Sequence, residues 1–491
     1  MNVFKALLPG LLVAQIIATI QVYLSNAGLY RAFVAMREAG YLVVPNQNAV
    51  HYLKEFAPAF FGGLFFTLTV GAGLSLLTLA AVWTWDRVFS RSRIFMSLLL
   101  LSWVGCLLWI NSHGFSTAAT AYFVFVPVVV SMSTLKWMPA RFRQKTLSGE
   151  LVPVIPLLLL ALLWLPRAGG DMFLDIRDNL LLSNSFGTKI SDFYYGYTLY
   201  PAEAFKSLDQ KTLRTCRLEG IKDESTVKLL EKELLKHDYL NIRGYSKADL
   251  EIIEEGGMLV FRNRGNTILR TASEDFLAAP GEMLREFSLK SDRHSFFRKF
   301  TFFCLLTGSP VILYVALYAL FRIVFRLFMA PKKSSVAASI LCVTIVAVIL
   351  SSLYFAGRKT TEVDNLSETM ESGHWRQRVM ALKIVEQKGM EIGNFRAYKK
   401  MLKSPYIPER YWLTKAMGKS RKTETYNDLR FLLNDPNQNV VCMAFYALGE
   451  RKDPGAVGEI IKRISTSGDW YSQQYAYRAL RRLGWKQTGS K

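Results

Sequence analysis

The sequence predicts a mainly α-helical, polytopic membrane protein with about seven spanning helices, a small α+β insert and a C-terminal helical-repeat region. Three observations lead there. Long uncharged runs recur along the chain, Lys and Arg gather in the short segments between them, and a helix-pair pattern repeats near the C-terminus. The expected division is membrane helices over 1–165, an extramembrane insert over 166–298, two further membrane helices over 299–357 and the repeats over 358–491.

Of the 491 residues, 51% are hydrophobic and 20% charged, a balance too apolar for a wholly soluble chain. Runs without Asp, Glu, Lys or Arg occupy 6–30, 56–85, 94–135, 151–166, 300–321 and 334–357, and about 20 apolar residues suffice for a helix to cross a bilayer. The third run is too long for one helix. It contains Asn111-Ser-His-Gly-Phe-Ser116, which suits a tight turn, so it reads as two helices. The first run lacks a small-x-small cleavage motif after its apolar core and is expected to stay as an anchor. The fourth run, which becomes the fifth span, is short and contains Pro153 and Pro156, yet it must cross if all the basic loops are to share one side.

Those loops carry Arg87, Arg91 and Arg93, then Lys136, Arg141, Arg143 and Lys145, then Arg322, Arg326, Lys332 and Lys333. Positive loops face the cytoplasm. The expected setting is therefore a bacterial inner membrane with a cytoplasmic N-terminus and with the insert and repeats on the outer, periplasmic side. The insert is nearly neutral, so more than half of the net charge of +22 flanks the apolar runs. This pattern points to anionic lipid head groups and excludes a nucleic-acid stripe. The five cysteines, Cys106, Cys216, Cys304, Cys342 and Cys442, show no paired spacing, so no disulfide framework, zinc site or covalent haem is expected.

With the third run counted as two spans, spans two to five and seven hold no ionisable Asp, Glu, Lys or Arg in their cores, which argues against an ion-coupled carrier. Gly63, Thr67, Gly71 and Ser75 recur every fourth residue of the second run and present one small-residue face for a neighbouring helix, in the same chain or across a homo-oligomer. Arg322 and Arg326 are expected to snorkel to the inner interface.

In the insert, 171–206 reads as an amphipathic segment on the outer bilayer surface, rich in tyrosine over Phe193–Tyr200. Glu224–His237 is helical by periodicity, Met258–Phe261 and Thr267–Arg270 form a hairpin about Arg262–Asn266, and Pro280–Phe287 is helical. The polar residues that fit acid, base or ligand chemistry are Asp171, Asp175 and Asp178, one face of a helix, and His294 just before the sixth span, the run 300–321. They become a catalytic site only if the two ends of the insert converge; a solvated face with local salt bridges explains the same residues, so no catalytic, cofactor or metal site is assigned.

Asp435-Pro-Asn-Gln-Asn-Val-Val-Cys-Met-Ala-Phe-Tyr-Ala-Leu-Gly449, followed by Asp453-Pro-Gly-Ala-Val-Gly-Glu-Ile-Ile-Lys-Arg-Ile464, resembles a HEAT-like repeat of the phycobilisome-lyase type. Looser copies are Tyr411–Gly418 with Leu429–Leu433, Tyr475–Gly484 and Trp375–Glu386. The resemblance covers about 374–488 and implies an α-solenoid used for protein contacts. It does not imply lyase chemistry, because no bilin-attachment residues stand here. Gly418-Lys-Ser420 lacks the earlier glycine of a phosphate-binding loop, and HExxH, GxSxG and dinucleotide motifs are absent. The expected function is a membrane scaffold or assembly subunit whose repeats hold a protein partner, without a cofactor. The alternatives are an enzyme acting on a lipid-linked substrate at the outer surface, or a permease-like component.

Overall fold

The computed structural model describes residues 2–137, 157, 161, 172–357 and 365–488. Apart from Leu157 and Ala161, the fourth apolar run (151–166) lies outside the described residues, as does Asp171. In chain order, α1 (Asn2–Glu38), α2 (Phe56–Arg87, with a π-turn at Thr67–Gly71), α3 (Arg93–Ile110) and α4 (Thr117–Trp137) come first. The insert supplies α5 (Ser185–Ala204), β1 (Arg214–Glu219), α6 (Glu224–Lys236), β2 (Tyr239–Asn241), β3 (Leu250–Glu255), β4 (Met258–Asn263), β5 (Asn266–Thr271), α7 (Ser273–Ala278) and α8 (Pro280–Lys290). Then come α9 (Ser295–Leu306), α10 (Gly308–Phe325) and α11 (Pro331–Gly357), followed by α12 (Trp375–Gln387), α13 (Ile407–Met417), α14 (Thr423–Leu432), α15 (Gln438–Arg451), α16 (Val457–Thr466) and α17 (Trp470–Arg482). Among the described residues, six helices (α1–α4, α10 and α11) are long and apolar enough to cross a membrane.

Small residues set how these helices meet. A Cβ on Gly63 would lie 3.2 Å from the Ala18 Cβ, one on Gly71 would lie 2.5 Å from the Ala14 Cβ, and one on Gly10 would lie 2.7 Å from the Ser75 Oγ. Between them the Thr67 hydroxyl donates to Gln15 Oε1 at 2.6 Å, and Gln15 Nε2 donates to the Phe60 carbonyl at 2.9 Å. The four-spaced face of α2 thus closes on α1 of the same chain, with hydrogen bonds added to close backbone approach. A second such contact joins α2 to the break between α9 and α10, where a Cβ on Gly308 would meet the Gly73 Cα at 3.1 Å.

The bundle has two distinct ends. Lys5 lies over the Trp137 ring at 5.0 Å, so the start of α1 meets the end of α4. At the far end of α1, Phe33 meets Trp470 of the repeats edge-on, with centroids 6.1 Å apart. Helices α2 and α9–α10 start at that second end, so the turns after them, which carry Arg91 and Arg326, lie at the first. The segment 39–55, the insert and the repeats gather at the second end, and one hydrophobic cluster runs from Ala14, Val70 and Tyr122 through Val43 and Leu53 to Leu413 and Leu480.

The insert has its own core, built on Cys216, Leu230, Ile252, Phe261 and Phe287. Its sheet order is β2-β1-β3-β4-β5, with β1 parallel to both β2 and β3 and the last three strands antiparallel. Parallel neighbours need a crossover, which α6 provides, burying Leu230 and Leu234 against the sheet. Both hairpins turn on two residues with positive φ, Gly256-Gly257 and Arg264-Gly265. That is the backbone twist which matches paired strands.

In the C-terminal region α12, α13, α15 and α17 pack side by side in that order, with α14 against α15 and α16 against α17. Equivalent small contacts recur. A Cβ on Gly418 would lie 3.1 Å from the Ala447 Cα, and one on Gly449 would lie 3.0 Å from the Ala479 Cα. A second recurrence escapes sequence inspection. Arg378 donates to the Ser372 carbonyl, Arg410 to the Ser404 carbonyl and Gln473 to the Ser467 carbonyl, each tying a helix to the turn before it. The same arginines pair with the acid of the next unit, Arg378 with Glu409 and Arg410 with Asp435.

Candidate functional site

Three sets of contacts hold the repeats against the rest of the chain. At the start of the insert, Asp178 is buried and accepts from Arg177 at 2.7 Å and from Trp412 Nε1 at 2.7 Å, with Lys383 Nζ 3.4 Å away. The Arg177 guanidinium lies 3.8 Å from the Tyr411 ring centre. At the far end Tyr477 donates to Asp238 at 2.6 Å, and burial raises the Asp238 carboxyl above its ordinary range despite Tyr477 and Arg481. The third set uses 39–55: the Asn46 amide side chain donates to the Ile464 and Ser467 carbonyls, its backbone N–H donates to Gln473, and Leu42 exchanges two hydrogen bonds with Gln487.

Helix α5 is wedged between the bundle and the repeats. Phe193 and Tyr197 meet Phe61 of α2, whereas Tyr195 meets Tyr471 and Tyr200 meets Trp470. Its outer stripe, Phe186, Ile190, Phe193 and Tyr194, stays exposed. The tyrosine-rich segment expected on a bilayer surface therefore keeps only this stripe outward and spends its other faces on protein contacts.

Where the upper half of α1 faces the insert, a cavity of about 820 Å³ opens. One wall is apolar, from Leu24, Gly28 and Leu29 of α1; the other is charged, from the sheet, the β4–β5 turn and 291–294. Each carboxylate that lines it is already engaged. Glu203 pairs with Lys206, Asp249 with Lys211, Glu251 with Arg217, and Asp292 accepts from Arg298 at 2.8 Å. Four lining cations, Arg31, Lys247, Arg264 and Arg293, have no acidic partner among the described residues. Burial and then the neighbouring Arg264 pull the Arg293 guanidinium below its ordinary value.

His294 sits in this wall with its ring edge-on to Phe205, centroids 5.1 Å apart. Its Nδ1 is buried without a hydrogen-bond partner. Burial, reinforced by Arg264, pushes the imidazole down to about 4, so the ring is neutral near pH 7. A neutral imidazole beside unpaired cations adds no further repulsion.

The polar residues singled out in the sequence do not form one centre. Asp175 lies 3.7 Å from Lys383 and Asp178 is enclosed by Arg177, Trp412 and Lys383, all within the joint to the repeats, whereas His294 belongs to the cavity. Asp175 and Asp178 share Lys383, His294 shares no described partner with them, and among the described residues no cluster of His, Cys, Asp or Glu suits a metal ion. Arg264 stands in the expected hairpin turn and Arg293 next to His294; that both line one cavity with Arg31 and Lys247 depends on topology that no local pattern encodes. No known family, curated protein or solved structure matches the chain.

Proposed function

We propose that this chain is an integral membrane scaffold, whose repeats form an α-solenoid of the HEAT-like kind and present a basic surface to an acidic protein partner. Exposed apolar side chains support the bilayer part of the reading. Ile94, Leu101, Leu108 and Trp109 on α3 are each more than two-thirds exposed, a coverage that lipid satisfies and water does not. The basic turns lie at one end of the bundle and the insert with the repeats at the other, which agrees with a cytoplasmic N-terminus and an outer layer.

The observation that carries the scaffold reading is the unequal use of the repeat surface. Trp412, Trp470, Gln473 and Tyr477 are consumed in binding the chain itself, which fixes the repeats at one height and angle. The repeats also carry exposed basic side chains that none of these contacts uses. Arg396, Lys400, Lys403 and Lys462 are exposed without an acidic partner, and the exposed acids of the described repeats are Glu368, Glu371 and Glu424. Asp175 and Asp178, two of the four residues on which an enzyme reading drew, are engaged in the joint. The test is affinity purification from native membranes with Lys400, Lys403 and Lys462 each changed to Glu. The triple variant should insert normally and lose at least tenfold of the co-purified partner; undiminished recovery rules out the basic surface as the docking face.

A further inference from the structure

We propose that the cavity between α1 and the insert binds a phosphate-bearing anion, presented by a lipid whose tails run down the outer face of α1. This rests on the bilayer reading of the apolar helices and is independent of the partner that the repeats hold.

Charge arrangement is the first support. A folded protein that brings Arg31, Lys247, Arg264 and Arg293 to one cavity while pairing every carboxylate there elsewhere is left with uncompensated positive charge. Like charges held together destabilise the empty state, and a guanidinium fork matches phosphate oxygens in two parallel hydrogen bonds. Size is the second. About 820 Å³ is ample for a phosphorylated head group, and the charged wall opposes an apolar one. The third is continuity with the bundle. Leu12, Ile16, Ile20 and Leu24 form an exposed stripe along α1, and Leu24 is itself part of the cavity rim. A head group in the cavity thus has a continuous apolar path for its tails.

The experiment uses the full chain, delipidated in a nonionic detergent, with binding read by native mass spectrometry and by thermal melting. The probes are dioleoyl phosphatidic acid, the matching diacylglycerol without phosphate, and inorganic phosphate. Two variants remove the cations without disturbing the fold: Arg264→Asn, since asparagine tolerates the positive φ of this turn, and Arg293→Gln. Phosphatidic acid should bind, diacylglycerol should not, and each variant should weaken binding about tenfold or more. Ligand-free Arg264→Asn should melt no lower than wild type, because it relieves repulsion, and this opposite sign separates a binding role from a structural one. Stabilisation by inorganic phosphate at millimolar concentration would assign the phosphate alone as the recognised group; its failure beside phosphatidic acid would assign the lipid. Equal binding of diacylglycerol, or binding by folded variants at wild-type strength, overturns the proposal. Loss of partner recovery in these variants is not expected, so failure here and failure of the scaffold reading are told apart.

Discussion

Gly71→Leu is expected to abolish recovery of a monodisperse protein in detergent, whereas Gly105→Leu is expected to purify like wild type. The two changes are chemically identical and both fall within apolar helices. At Gly71 even a Cβ would lie 2.5 Å from the Ala14 Cβ, while around Gly105 nothing lies within 4 Å. Helix α1 is also packed against α4, where a Cβ on Gly10 would overlap the Val130 Cγ2, so it has little room to retreat. Overpacking of a filled core costs about 1–3 kcal/mol, and more where backbone must move. Here three further heavy atoms beyond Cβ have to be placed between two helices that touch, so the upper end of that range or beyond is expected. Size-exclusion profile and solubilised yield report the outcome; equal behaviour of the two variants would show that the α1–α2 contact has room to adapt.

Asp178→Ala should loosen the joint between the insert and the repeats by about 3–5 kcal/mol, the usual result of removing one partner from a buried ion pair. The carboxylate is 2% exposed and serves three donors at once, from Arg177, Trp412 and Lys383. Its loss leaves the Arg177 guanidinium enclosed against Tyr411 with no counter-charge. Thermal melting in detergent should show the loss. The double variant Arg177→Met/Asp178→Ala should regain a good part of it, since the desolvated cation is then gone as well. An Asp178→Ala protein that melts like wild type would remove the ion pair from the joint.

What was legible in the sequence had short range. The apolar runs, the four-spaced face of α2, the helix α6 and the β4–β5 hairpin each follow from a period or a turn residue within about a dozen positions. Strands β1 and β3 were not legible: Arg214–Glu219 and Leu250–Glu255 mix charged with apolar residues, and their parallel pairing is fixed by partners far along the chain. The segment 39–55 gave no periodic signal, and its role appears only when Leu42 and Asn46 meet Gln487 and Gln473 more than 400 positions away. For the candidate site the same rule applies. Asp175, Asp178 and His294 were visible as polar residues near apolar runs, but which of them meet is decided by how the insert and the repeats dock. The basic cavity, assembled from α1, a hairpin turn and the approach to α9, lies beyond any local pattern.

The central claim is that 39–55, the insert and the repeats form one layer on the outer side of a bilayer, with the basic turns on the other. Single cysteines placed by Ser225→Cys and Gly455→Cys in that layer, and by Ser90→Cys and Phe328→Cys in the turns, test it directly, in a background whose five native cysteines are replaced. A membrane-impermeant maleimide, applied to cells with only the outer envelope permeabilised, should label positions 225 and 455 and leave 90 and 328 unlabelled until the inner membrane is breached. Labelling of 90 or 328 in unbreached cells, or opposite accessibility of 225 and 455, would contradict the account.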